Sequence, residues 1–137
     1  MTHQEMLFTH IINVIKSLTN KFDDNITVQR YDESEKDQIG IIFLQARSDN
    51  YDYDGLVSES KKFELRVTCE NKQDDIFENW AFIENFVNTF EDADSTVAGL
   101  DIESVMHLSS KVIPLYTNAY GIQELKCIVE MTVCFDE

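Results

Sequence analysis

Apolar residues along this chain alternate between two rhythms, one stepping by three and four, the other by two. The broadest stripe lies between Asp74 and Phe90. There Ile76, Phe77, Trp80, Ile83, Phe86, Val87 and Phe90 share one face of a helix. Trp80 falls inside the stripe, which assigns it to the core rather than to a partner surface. Asp75 precedes the stripe and Glu78 follows three residues later, the spacing of an N-cap and its capping-box partner. Nearer the start, Leu7, Phe8, Ile11, Val14, Ile15, Leu18 and Phe22 predict a first helix over residues 4–22. Lys16 and Lys21 suit its C-terminal dipole, and Asp23-Asp24-Asn25 ends it.

The two-residue rhythm predicts strands. Ile26–Tyr31 alternates, Asp32–Gln38 is a polar turn, and Ile41–Arg47 carries an apolar run fit for burial on both faces. These two strands are expected to form a hairpin. Phe63, Leu65, Val67 and Cys69 alternate with Glu64, Arg66, Thr68 and Glu70, a strand with one wet face. Gly99 marks a turn, Leu100–Ser110 reads as a strand, and Lys111–Tyr120 with Pro114 reads as an irregular connection. The clearest strand is the last, with Leu125, Cys127, Val129, Met131, Val133 and Phe135 on one side. Ser48–Lys61 shows no rhythm, so a mobile loop is expected there. The order helix, three strands, helix, two strands predicts an α+β fold. It comprises a mostly antiparallel sheet of about five strands with two helices packed on one face. Residues 1–137 are expected to form a single domain.

Charge narrows the function classes. Eleven Lys and Arg stand against 26 Asp and Glu, a formal net charge of −15. Phosphate backbones and anionic bilayers repel such a chain, which argues against sequence-reading of nucleic acid and against membrane docking. No apolar run approaches the ~20 residues of a membrane span, and no signal peptide is expected. Cys69, Cys127 and Cys134 are odd in number and lack a C-x-x-C pair, which points to reduced, buried thiols and a reducing cytoplasm.

Candidate chemistry is thin. Asn50, Asp52, Asp54 and Gly55 open like an EF-hand loop, but Lys61 stands where a bidentate Glu is needed and Glu59 is out of register. His3, His10 and His107 are scattered, and no Cys, Asp or Glu completes a metal set with the first two. Glu103 and His107 read as a surface pair on one strand face. The four glycines stand alone, without a phosphate cradle, and no nucleophile elbow occurs. No catalytic, cofactor-binding or metal residues are assigned, and no enzyme activity or cofactor is expected.

The element order resembles that of the tail terminator, or tail completion, proteins of long-tailed bacteriophages, often described as minor capsid or minor tail proteins. The stretch Tyr116-Thr117-Asn118-Ala119-Tyr120-Gly121-Ile122-Gln123-Glu124 feeding a long final strand carries the likeness. The resemblance implies a structural protein of the virion, assembled in the host cytoplasm. It would form a hexameric ring at the head-proximal end of the tail. Such a ring caps the tail tube, ends its polymerisation and presents the head–tail joining surface. The implied partners are copies of itself, the tail-tube protein and the head–tail connector, with genomic DNA passing through the lumen unread. Acidic residues around that channel would keep DNA from sticking. On this reading Tyr51, Asp52, Tyr53 and Asp54 in the Ser48–Lys61 segment, with Tyr116 and Tyr120, are the candidate protein contacts. Two alternatives stand beside it. One is another head–tail connector or tail-tube component; the other is an acidic cytosolic binding module or DNA mimic.

Overall fold

The computed structural model describes residues 3–22, 25–52, 55–92 and 104–136. In chain order the elements are α1 (His3–Leu18), β1 (Ile26–Val28), β2 (Gln38–Asp52), β3 (Gly55–Glu70), α2 (Ile76–Glu91), β4 (Ser104–Thr117) and β5 (Gln123–Asp136). The five strands form one sheet in the order β1-β2-β3-β5-β4. The expected α+β class, with a mostly antiparallel sheet and two helices, is what the chain adopts.

The alternation read along β3 and β5 becomes a set of core ladders. Ile39 pairs with Val67 and Val67 with Cys127; Ile41 pairs with Leu65 and Leu65 with Val129; Phe63 pairs with Met131. All these side chains are buried in one cluster with Leu7, Phe8, Ile11 and Ile15 of α1 and Ile83, Phe86 and Phe90 of α2. Both helices therefore cover the same face of the sheet. Phe8, Phe43 and Phe63 meet at tilted or edge-on angles, and Phe82, Phe86 and Phe90 form a second aromatic row.

Four expectations need correction. First, β1 and β2 pair in parallel, not as a hairpin. Gln29 leaves β1 with φ of 58°, in the left-handed region. The chain then doubles back through residues 29–37, and Ile39 N–H reaches Asn25 O at 3.0 Å. Asp32 locks the return: Ser34 N donates to its Oδ1 at 2.9 Å, and the buried Gln38 amide pairs with its backbone in both directions.

Second, residues assigned to a loop over 48–61 are mostly strand. β2 and β3 run on as one long hairpin, paired from Gln38↔Thr68 to Asp52↔Gly55. Third, β4 continues through the expected irregular connection to Thr117. Its register slips between Ile113 and Tyr116, at Pro114, and β4 lies at an edge of the sheet, where a missing N–H is tolerated.

Fourth, the broad stripe of α2 is not all core. Asn79 is buried with Ile83, Phe86 and Phe90, whereas Phe77 is 84% exposed and Trp80 43% exposed. Asn79 fixes this rotation, because its Oδ1 accepts from Lys21 Nζ at 2.6 Å and its Nδ2 donates to Glu70 O at 3.3 Å. Lys21 thus lies beyond α1 and bridges Asn79 and Asp37 rather than serving the helix dipole. Asp75 does occupy the N-cap position, but its side chain makes no capping hydrogen bond.

Candidate assembly surfaces

The second face of the sheet was expected to be wet along β3. Instead residues 29–37 cross it as a strap. Gly40 on β2 permits the crossing, since a Cβ there would lie 3.1 Å from Arg30 O and 3.4 Å from the Tyr31 ring. Tyr31 then extends over β3, where its hydroxyl hydrogen-bonds Thr68 Oγ1. Arg66 and Lys126 lie 4.9 and 5.7 Å from its ring centroid. Glu64, Thr68, Glu124 and Lys126 are buried as a result. Arg66 pairs with Glu64 at 2.6 Å. Burial raises the Glu124 carboxyl above its ordinary value, and it raises the Tyr31 hydroxyl as well.

The strap ends against the β4–β5 turn. Asn118 Nδ2 donates to Glu33 O at 2.7 Å, while Asn118 Oδ1 accepts from Tyr120 N at 2.8 Å and Ile122 N at 3.2 Å. Gly121 closes the turn at φ 77°, a conformation that suits glycine. This turn is the stretch that carried the family likeness. It holds Tyr116, whose ring meets Lys126 Nζ at 4.6 Å, and Tyr120, which is 66% exposed.

The six candidate contacts do not form one site. Tyr51 and Asp52 lie in β2 at the hairpin end, paired with Leu56 and Gly55. Tyr53 and Asp54 lie outside the described residues. Tyr116 pairs with Glu124, which pairs with Glu70 at the other end of β3. The two groups are separated by the length of β3, 16 residues, or roughly 50 Å at about 3.3 Å per residue.

The sheet has two open margins. Among the described residues, β4 pairs with β5 only, and β1 covers β2 only from Ile39 to Ile41. Hence β2 beyond Phe43, whose N–H the Gln29 side chain takes, and the outer side of β4 both present strand backbone. At the same level along the sheet, Leu44 is exposed on one margin, and Met106 and Leu108 on the other. Long exposed margins of this kind are templates for strand pairing. The mismatch behind the second margin is one of length, with three residues in β1 against 15 in β2.

Other candidates resolve into structure. A recess of about 460 Å³ beneath the strap is lined by Asn25, Thr27, Gln29 and Asp32 among others. Their polar groups are already engaged: Asn25 Nδ2 with Asp37 O, Thr27 Oγ1 with Arg30 O, and Gln29 Oε1 with Phe43 N. His107 meets Ser110 Oγ at 2.6 Å, and Glu103 lies outside the described residues. The EF-hand-like opening falls on strands, with Asn50 and Asp52 in β2 and Gly55 starting β3. Among the described residues no three His, Cys, Asp or Glu side chains converge as metal ligands would. Cys69 and Cys127 are buried and Cys134 is half-buried; burial pushes the first two thiols up to about 12. Among the described residues no helix is long and apolar enough to cross a membrane.

Comparison of the chain with protein-family models and with curated proteins gives no match.

Proposed function

We propose that this chain is a structural assembly protein of a long-tailed phage, a tail terminator that closes into a ring on the head-proximal end of the tail tube. The observation that carries the reading is the pair of open sheet margins, β4 on one side and β2 beyond Phe43 on the other. They differ in sequence and lie on opposite sides, so copies meet head to tail, and a head-to-tail contact that returns on itself makes a ring. Leu44 of one copy then meets Met106 and Leu108 of the next. The two separated groups of candidate contacts also support it. Tyr51 and Asp52 mark one end of the sheet, Tyr116 and Tyr120 the other, as a body with a tube-facing and a connector-facing end requires.

The test combines assembly with phenotype. Sedimentation velocity and negative-stain microscopy, with and without purified tail tubes, should show rings that cap tube ends. Met106→Lys with Leu108→Lys should abolish them by setting two charges against the apolar Leu44 of the next copy. Deleting the gene should give tails of abnormal length. A chain that stays monomeric with tubes present, or deletion particles with tails of uniform normal length, would overturn the reading.

A further inference from the structure

The outer line of α2 does something the ring reading does not use. Phe77, Trp80, Glu84 and Asn88 follow one another at helical spacing on the side turned away from the core, all exposed. Between this line and β4 lies a groove of about 270 Å³, bounded by Trp80, Ile83, Val87 and Val112, with Glu84 and Asn88 on its polar rim. Val112 projects from β4 on the helix-covered side, opposite Cys127, and is 42% exposed. A half-exposed tryptophan and a half-exposed valine facing each other across a slot form an anchor pocket of the kind that takes one or two large side chains.

Charge decides what enters. From Asp74 to Asp92 the chain carries Asp74, Asp75, Glu78, Glu84, Glu91 and Asp92 without one Lys, Arg or His. A second copy docking groove to groove would bring the same acidic rim onto an acidic rim. We infer that the α2–β4 groove is a docking site for a basic, amphipathic segment of a different protein. That segment inserts aliphatic or aromatic side chains between Trp80 and Val112 while its Lys or Arg residues meet Glu84 and the acids around α2. The groove lies along α2 and the middle of β4, beyond the Met106–Leu108 stretch used in the ring contact.

Trp80 is the single tryptophan of the chain and sits in the groove wall, so its emission reports occupancy. The probes are three synthetic peptides of equal length, titrated at physiological ionic strength. One is an amphipathic Leu/Lys helix, one an amphipathic Leu/Glu helix, and one a scrambled Leu/Lys sequence without an apolar face. The Leu/Lys helix should shift Trp80 emission to the blue and saturate, while the other two bind at least tenfold more weakly. Val112→Glu should weaken the Leu/Lys helix at least tenfold with circular dichroism unchanged. Glu84→Lys, at an exposed position, should weaken the Leu/Lys helix and strengthen the Leu/Glu helix. Equal binding of the scrambled peptide would reduce the effect to bulk charge and overturn the site. So would unchanged affinity in both variants, or a Trp80 shift driven by the protein's own concentration without peptide, which would make a second copy the occupant.

Discussion

Phe77→Ala and Phe86→Ala, nine residues apart on one helix, test how α2 is rotated against the sheet. Phe86 is fully buried, with ring centroids 5.8 Å from Phe82 and 4.8 Å from Phe90. Truncating a buried phenylalanine costs about 3–5 kcal/mol, and two lost aromatic pairs place this one toward the upper end. Phe77 is 84% exposed, so about a sixth of its surface leaves water on folding. Full burial is worth about 1.5–3 kcal/mol, hence roughly 0.3–0.5 kcal/mol here. Alanine's better helix propensity, about 0.5 kcal/mol, offsets that. Phe77→Ala should therefore leave stability within about 0.5 kcal/mol of the parent. Urea unfolding followed by circular dichroism and by Trp80 emission reads the difference. At a slope near 2 kcal/mol/M, Phe86→Ala should lower the midpoint by roughly 2 M and Phe77→Ala should barely move it. Phe86→Leu gives a smaller graded loss if the alanine variant is unfolded at the outset. Comparable losses at 77 and 86 would mean that the whole apolar stripe is core, and the outward line of α2, with the groove beside it, would be wrong.

Gly40→Val should cost about 1–3 kcal/mol by denaturant titration, since its side chain would press on Arg30 O and Tyr31 and lift the strap. Alkylation followed by mass spectrometry should modify Cys134 first. Cys69 and Cys127, buried and with thiols pushed up to about 12, should react only at the rate of unfolding. Glu124→Gln should stabilise the fold at pH 7. Burial raises this carboxyl above its unfolded value, so the native state holds the proton more tightly, and stability from this group falls as pH rises through the native pKa. The advantage of the glutamine should shrink as pH drops toward the ordinary glutamate range near ~4.3. An advantage that grew on acidification would refute the assignment.

The helices and β5 were legible because their apolar spacing is local and complete. Leu125, Cys127, Val129, Met131 and Val133 recur at every second position and all are buried. The Ser48–Lys61 stretch was not legible, because its strand character comes from partners far along the chain. Ser58 to Lys61 pair with Asp136 to Val133, and Asp49 with Glu59, so neighbours rather than intrinsic preference make the ladder. Pro114 argued for a connection where an edge position in fact accommodates it. Trp80 falls inside the apolar stripe, but seven apolar positions exceed what one helix face can bury, and Trp80 is left half-exposed. The tie came from Asn79, a polar residue whose partners Lys21 and Glu70 lie 58 and nine residues away.

The strap across the second face also bears on shape. It starts beside β1, passes over Gly40, Thr68 and Lys126, and is fastened at the far side where Asn118 holds Glu33. A brace laid across the full width of a twisted sheet fixes how strongly that sheet bows. In the ring proposed above, the bow of each identical wedge would set how many fit around, so a residue as small as Gly40 would bear on the headcount of the whole.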